Sequence, residues 1–162
     1  TSKDCPSFGG VYKLAAIWDD EKKEFIPKIK KSENSEKITN PGNKVIHRIY
    51  LKETGKIVGD LIALEDETFS ESEDLMIFDP TYTWKKTLLA ADTYTLREIL
   101  VPVFQDGICV YQSPSVTEIQ EYCRKELNTL WDETRRFINP HKVYVDLSAK
   151  LHTIKNELLG SI

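Results

Sequence analysis

The spacing of apolar positions changes near residue 112 of this 162-residue chain, from runs of strand length to a helical period. Val11 to Trp18 is rich in β-branched and aromatic residues and predicts a mostly buried strand. Asp19 to Glu24 reads as a charged turn. Phe25 to Lys31 alternates apolar and basic residues, and Pro27 assigns it to a sheet edge or a strand end. Ser32 to Lys44 is polar and holds Asn40-Pro41-Gly42-Asn43, a strong turn signal. Lys44 to Leu51 and Lys56 to Leu64 read as a hairpin through Glu53-Thr54-Gly55, with Gly55 free to take positive φ. Glu65 to Asp74 reads as a solvated acidic loop, and Leu75 to Phe78 as a short strand closed by Asp79-Pro80. Thr95 to Phe104 and Ile108 to Tyr111 read as a second hairpin through Gln105-Asp106-Gly107.

Beyond residue 112 the period becomes helical. Ser115 and Glu118 have the spacing of a capping box, in which each side chain satisfies an orphan amide at the helix start. Val116, Ile119, Tyr122 or Cys123, Leu127, Leu130, Trp131 and Phe137 fall on one face, and Asn139-Pro140 ends the pattern. Asp146 is placed to cap a second helix with Leu147, Leu151, Ile154 and Leu158 inward and Gly160 at its end. The expected fold class is α+β: a β-rich portion over residues 1–112, then a two-helix segment over residues 113–162.

Composition narrows the function classes. The chain is 40% hydrophobic and 30% charged with net charge −4, and a chain this long can bury a core without covalent staples. No run approaches the ~18 apolar residues of a membrane span, and no secretory signal opens it. Cys5, Cys109 and Cys123 are widely spaced and odd in number, which argues against a disulfide framework or a zinc site and for the cytoplasm. The chain opens at Thr1, its one methionine is Met76, and a strand pattern is under way by Val11. A piece of a longer polypeptide is therefore expected.

No complete catalytic constellation is present. His47, His141 and His152 have no second ligand at metal spacing, so no metal site is expected. Gly9-Gly10 precedes a strand and reads as a tight turn, not a dinucleotide fingerprint. The acidic loop lacks the ligand order of a calcium loop. Tyr82 and Trp84 could form a binding edge, with packing against the helices the simpler account. Charge has one clear direction: Lys28, Lys30, Lys31, Lys37, Lys44 and Arg48 precede an acidic zone that begins at Asp60. Lys13, Lys28, Lys30, Lys31 and Lys37 surround a Ser/Asn/Thr-rich loop whose neutral donors suit an anionic, phosphorylated ligand. A solvated charged face is the alternative. Nucleic acid is disfavoured, because the chain is acidic and no aromatics interleave with these lysines.

The pieces Pro6-Ser7-Phe8-Gly9-Gly10-Val11-Tyr12-Lys13-Leu14 and Pro27 to Gly42 (PKIKKSENSEKITNPG), with Thr54-Gly55-Lys56 and the Pro114-Ser115 helix start, resemble the C-terminal third of nicotinate phosphoribosyltransferase. The resemblance runs along essentially the whole chain. It implies an enzyme that forms nicotinate mononucleotide from nicotinate and phosphoribosyl pyrophosphate, with ATP hydrolysis and Mg²⁺, for NAD synthesis. It also implies a type II phosphoribosyltransferase architecture with an α/β barrel upstream, and a homodimer. The nicotinate pocket and the phosphorylated histidine would lie in that barrel, so this chain alone is expected to bind no cofactor and to be inactive. By the same resemblance, Lys13, Lys30 and Lys37 match lysines that contact phosphates across a subunit boundary, with Lys28 and Thr39 as alternatives. Fixed cations there would stabilise departing pyrophosphate. Lys13, a charge expected within an apolar strand, would need a partner. A stand-alone β-rich module binding anionic ligands or a protein partner is the rival reading.

Overall fold

The computed structural model describes residues 10–82 and 84–160. Its strands are β1 (Ala16–Asp19), β2 (Glu24–Pro27), β3 (Lys44–Leu51), β4 (Ile57–Leu64), β5 (Leu75–Phe78), β6 (Lys86–Leu89), β7 (Tyr94–Glu98), β8 (Phe104–Gln105), β9 (Ile108–Cys109) and β10 (Tyr144–Ser148). Its α-helices are α1 (Val116–Thr129), α2 (Asp132–Arg135) and α3 (Ala149–Gly160). The fold is α+β. Six strands form one mixed sheet in the order β6-β5-β10-β4-β3-β7, and β1-β2 and β8-β9 are separate hairpins. Cys5 and Gly9 lie outside the described residues, as do Pro6, Ser7 and Phe8 of the first motif.

The β3–β4 hairpin pairs from Lys44↔Leu64 to Tyr50↔Ile57, and its Gly55 takes φ +66° as the turn requires. One sheet face carries Ile49, Leu61, Ala63, Leu75, Ile77, Leu89 and Tyr94 as a buried cluster. A second cluster joins Leu64, Leu147 and Leu151, and it seats α3 on the sheet. Ladder pairing and burial reinforce each other here, because alternate residues of each strand reach the same face.

Several expectations are corrected. Asp146 does not begin a helix: Tyr144–Ser148 is a strand, parallel to β4 and antiparallel to β5, at the centre of the sheet. Its backbone supplies partners that β4 and β5 would otherwise lack, which outweighs the helical period of Leu147, Leu151 and Ile154. Ser148 instead caps α3, its hydroxyl accepting from the Leu151 amide at 3.2 Å. Gly59 permits the close approach of β10: a Cβ there would lie 2.9 Å from the Tyr144 carbonyl oxygen.

The strand expected over Val11 to Trp18 is confined to Ala16–Asp19, with Val11 and Tyr12 exposed. Its partner β2 ends at Pro27, which has no amide to continue a ladder. The long strand expected from Thr95 to Phe104 divides into β7, within the main sheet, and β8, which turns through Asp106-Gly107 into β9. The sequence pattern missed β6.

The acidic loop is not simply solvated. Glu71 accepts the Leu96 amide at 2.9 Å, Asp74 accepts the Ala91 amide at 2.8 Å, and Glu67 accepts both the Leu64 amide and the Ser148 hydroxyl. Tyr94 donates to the carbonyls of Ser70 and Glu73. Carboxylates serve backbone amides that would otherwise go unmet. Tyr82 and Trp84 are not covered by the helices. They are 57% and 78% exposed, held outward by a turn in which the Lys85 amide bonds the Tyr82 carbonyl.

Candidate functional site

The basic loop between β2 and β3 is closed on itself by short-range bonds. The Thr39 amide donates to the Lys30 carbonyl at 3.3 Å, and Ser35–Lys37 forms one 3-10 turn at the tip. Both Lys28 and Gly42 donate their amides to the Ala15 carbonyl, at 2.8 and 2.7 Å, which ties entry and exit of the loop to the residue before β1. Gly42 holds φ +92° in this exit turn, and Leu64 occupies the space a Cβ would need.

Lys13 lies before β1, exposed, rather than within a buried strand. Its ammonium crosses to the loop tip and donates to the Lys37 carbonyl at 2.5 Å. That contact brings Lys13 and Lys37 together, and the Thr39–Lys30 bond sets Lys30 at the base of the same loop. Lys28 is half-buried, whereas Lys30 and Lys37 are exposed. None of Lys13, Lys28, Lys30 and Lys37 forms a salt bridge among the described residues. Lys31 is engaged differently, its ammonium donating to the Leu159 carbonyl at 2.6 Å, near the end of α3. Cations near a helix C-terminus meet its unsatisfied carbonyls. Thr39 is buried, and its hydroxyl has no hydrogen-bond partner among the described residues.

Chemically, this is a loop whose Lys13, Lys28, Lys30 and Lys37 have no carboxylate partner among the described residues, with the Thr39 hydroxyl at its base, an arrangement that can attract an anion. No group of three or more His, Cys, Asp or Glu residues is placed for a metal ion among the described residues. Cys109 and Cys123 are exposed and unpaired with one another.

Two features escaped the sequence reading. One is the buried Lys155 on α3, whose ammonium donates to Asn40 Oδ1 at 2.8 Å and to the Pro80 carbonyl at 2.7 Å. The available signal was a lysine four residues after Leu151, on the apolar stripe of its helix. The other is a charged network beneath α1. Arg97 donates to both oxygens of Glu126 at 2.8 and 2.7 Å, and Tyr50 lies at 3.5 Å from the same carboxylate. The Arg97 hydrogen bonds hold the Glu126 carboxyl below its ordinary range against the opposing effect of burial, with help from Arg48. Burial, with the Glu126 charge, pushes the Tyr50 phenol up.

The expected capping box is present on α1, with the Ser115 hydroxyl and Glu118 carboxylate serving each other's backbone amides. Its apolar face is another matter. No residue of α1 is buried, and Val116, Ile119, Tyr122 and Leu127 are exposed. The helix is held instead through Glu126, through Lys56 bonding the Asn128 and Leu130 carbonyls, and through Trp131 bonding the Ile57 carbonyl.

Residues 43–155 match the model of the nicotinate phosphoribosyltransferase C-terminal domain. The chain belongs to that family. It is 34% identical to nicotinate phosphoribosyltransferase of Bacillus subtilis over 98% of its own length and 33% of the relative's. It is 31% identical to the Caenorhabditis elegans enzyme, with 98% and 27% covered. The human enzyme is 30% identical, with 94% and 27% covered. The chain thus spans about a third of the length of the Bacillus relative, and less of the other two. A crystal structure of human nicotinic acid phosphoribosyltransferase shares the fold, with TM-score 0.61 at 23% identity over 74% of this chain and 23% of that one. The matched region begins at Asn43, so Lys13, Lys30 and Lys37 lie before it, while the Bacillus alignment extends over almost the whole chain.

Proposed function

We propose that this chain is the C-terminal part of a nicotinate phosphoribosyltransferase, an enzyme that forms nicotinate mononucleotide from nicotinate and phosphoribosyl pyrophosphate with ATP hydrolysis, for NAD synthesis. Membership of the C-terminal domain family, at about a third of a relative's length, carries this reading. The reaction would be completed by a barrel elsewhere in the polypeptide, where Mg²⁺ and ATP would act, in a cytoplasmic homodimer. Residues 113–162 are tied to the β-rich portion rather than appended to it, since β10 lies within the six-stranded sheet. By itself the chain would be inactive. The uncovered apolar faces of α1 and of Val11 to Ile17 support a partner surface supplied by the remainder of the protein.

Within that enzyme the basic loop would meet phosphate. Displacement of pyrophosphate from the ribose puts negative charge on the leaving group, and fixed cations stabilise it. Lys13, Lys30 and Lys37, with Lys28 as an alternative, would offer those charges to a neighbouring subunit, and Thr39, the other alternative contact, would offer a neutral hydroxyl. The contact of Lys13 with the Lys37 carbonyl supports this role, since it gathers cations from two segments at one loop.

The deciding experiment is nicotinate mononucleotide formation from nicotinate, phosphoribosyl pyrophosphate, Mg²⁺ and ATP. It is run with the chain alone and with the chain mixed with the separately expressed remainder of the protein. Silence alone and activity on mixing is the expected result. Product from the chain alone, or silence in the mixture while the intact protein is active, would overturn the assignment of roles.

A further inference from the structure

Lys155 is the one charged residue in the buried set among the described residues, at 5% exposure. An ammonium group withdrawn from water needs acceptors close by. Lys155 has two, and both are neutral: the Asn40 side-chain carbonyl and the Pro80 backbone carbonyl. Burial lowers its pKa, and the charge of Asp79 opposes that shift. Neutral acceptors bring no net ion-pair gain, so the arrangement is better suited to fixing a place than to adding stability.

The place it fixes is the exit of the basic loop. Asn40 directly follows Thr39, whose amide closes the loop on the Lys30 carbonyl. Pro41 and Gly42 come next, both buried, with the Gly42 amide on the Ala15 carbonyl. Further along the same helix, the Leu159 carbonyl holds the Lys31 ammonium. Helix α3 therefore grips the loop at both ends, at Lys31 from an exposed contact and at Asn40 from a half-buried one made by the buried Lys155.

We propose that Lys155 is a positioning residue for the basic loop: by holding Asn40 against Pro80 it sets where Thr39, Lys37 and the Lys13 ammonium stand. Its consequence for anion binding rests on the phosphate reading above, but the positioning itself does not. In this role Lys155 acts through Asn40 and Pro80 rather than on the anion itself.

The test uses the full protein that contains this chain, with Lys155→Met, Asn40→Ala and Asn40→Asp compared with the unaltered protein. Hydrogen–deuterium exchange is followed over residues 38–43, over α3, and over the main sheet. Inorganic pyrophosphate is the binding probe. Lys155→Met and Asn40→Ala are expected to speed exchange over residues 38–43 by about fivefold or more, with the sheet unchanged. Both are expected to weaken pyrophosphate binding about tenfold. Asn40→Asp retains an acceptor for Lys155 and keeps the protection of residues 38–43. Asn40→Ala leaves α3 itself intact, so it decides the matter if Lys155→Met does not fold. Unchanged exchange over residues 38–43 in Asn40→Ala, or a rise shared equally by the sheet, would overturn the proposal. Absence of pyrophosphate binding by the unaltered protein would remove the phosphate reading, while the exchange comparison would still decide the role of Lys155.

Discussion

Arg48 and Asp60 face one another across the β3–β4 ladder and share two hydrogen bonds, Nε to Oδ1 at 2.7 Å and Nη2 to Oδ2 at 3.0 Å. The third guanidinium nitrogen lies 3.5 Å from Glu126, which is itself gripped by Arg97. The pair thus belongs to both the sheet and the underside of α1. Two-point contact between a planar guanidinium and a carboxylate has a fixed geometry, which a lysine at either arginine position would not reproduce.

Glu126→Ala should loosen α1. Arg97 would lose its partner, while Arg48 would keep Asp60. The expected cost is about 1.5–3 kcal/mol in unfolding free energy, with faster proteolysis within residues 116–129. A change below about 0.5 kcal/mol with unaltered proteolysis would show that Glu126 does not hold the helix.

Acid should weaken the same attachment. The Glu126 carboxyl sits below its ordinary 4.5 in the folded state, through Arg97 first. The unfolded chain therefore binds this proton at higher pH than the folded one. Its stabilisation is full above about pH 4.5 and is lost as pH falls through the lower folded value. Glu126→Gln should flatten that part of a stability–pH profile, and an identical profile in the variant would refute the assignment.

His152 should act in a milder range. Its ring stacks on Phe78 with centroids 4.3 Å apart, and burial, then the charge of Lys155, lowers its pKa from 6.5. The unfolded state again takes up the proton first, so stability declines as pH falls below about 6.5. His152→Phe is expected to remove the slope that begins below about pH 6.5. Persistence of the full slope would point to another group.

Gly59→Ala should damage the centre of the sheet. The added methyl would meet the backbone oxygen of Tyr144, which cannot swing aside as a side chain would. A loss of about 1–3 kcal/mol in chemical denaturation is expected, with β10 loosened from β4. Full stability in the variant would mean that the two strands can separate at little cost.

On the proposed phosphate reading, Lys13→Ala, Lys30→Ala and Lys37→Ala in the full protein that contains this chain should each raise the KM for phosphoribosyl pyrophosphate, by about tenfold where the contact is direct. Lys37→Ala leaves the bond from Lys13 in place, because Lys13 uses the backbone carbonyl of residue 37. The two substitutions therefore test separate charges. Unaltered kinetics in all three would leave this loop as a solvated face.

Features governed by neighbours in sequence were legible without a structure. The Ser115–Glu118 box, the positive φ of Gly55, the Asn40–Gly42 turn and the β3–β4 hairpin all follow from local backbone preference and from the period of apolar residues. The lysine-rich loop and the resemblance that pointed to the family were also there to be read. Tertiary structure decided the rest. Tyr144–Ser148 has a pattern that a helix start could share, and it became a strand because β4 and β5 leave a place between them. Lys155 looks like any helical lysine until α3 lies on the sheet, with Asn40 and Pro80 around its ammonium. Glu126 joins Arg48 and Arg97 only once α1 reaches β3 and β7. Local preferences act over a few residues and are written in composition and spacing. Burial of a charge or a backbone edge depends on what distant segments bring to it, and that is settled only when the chain packs.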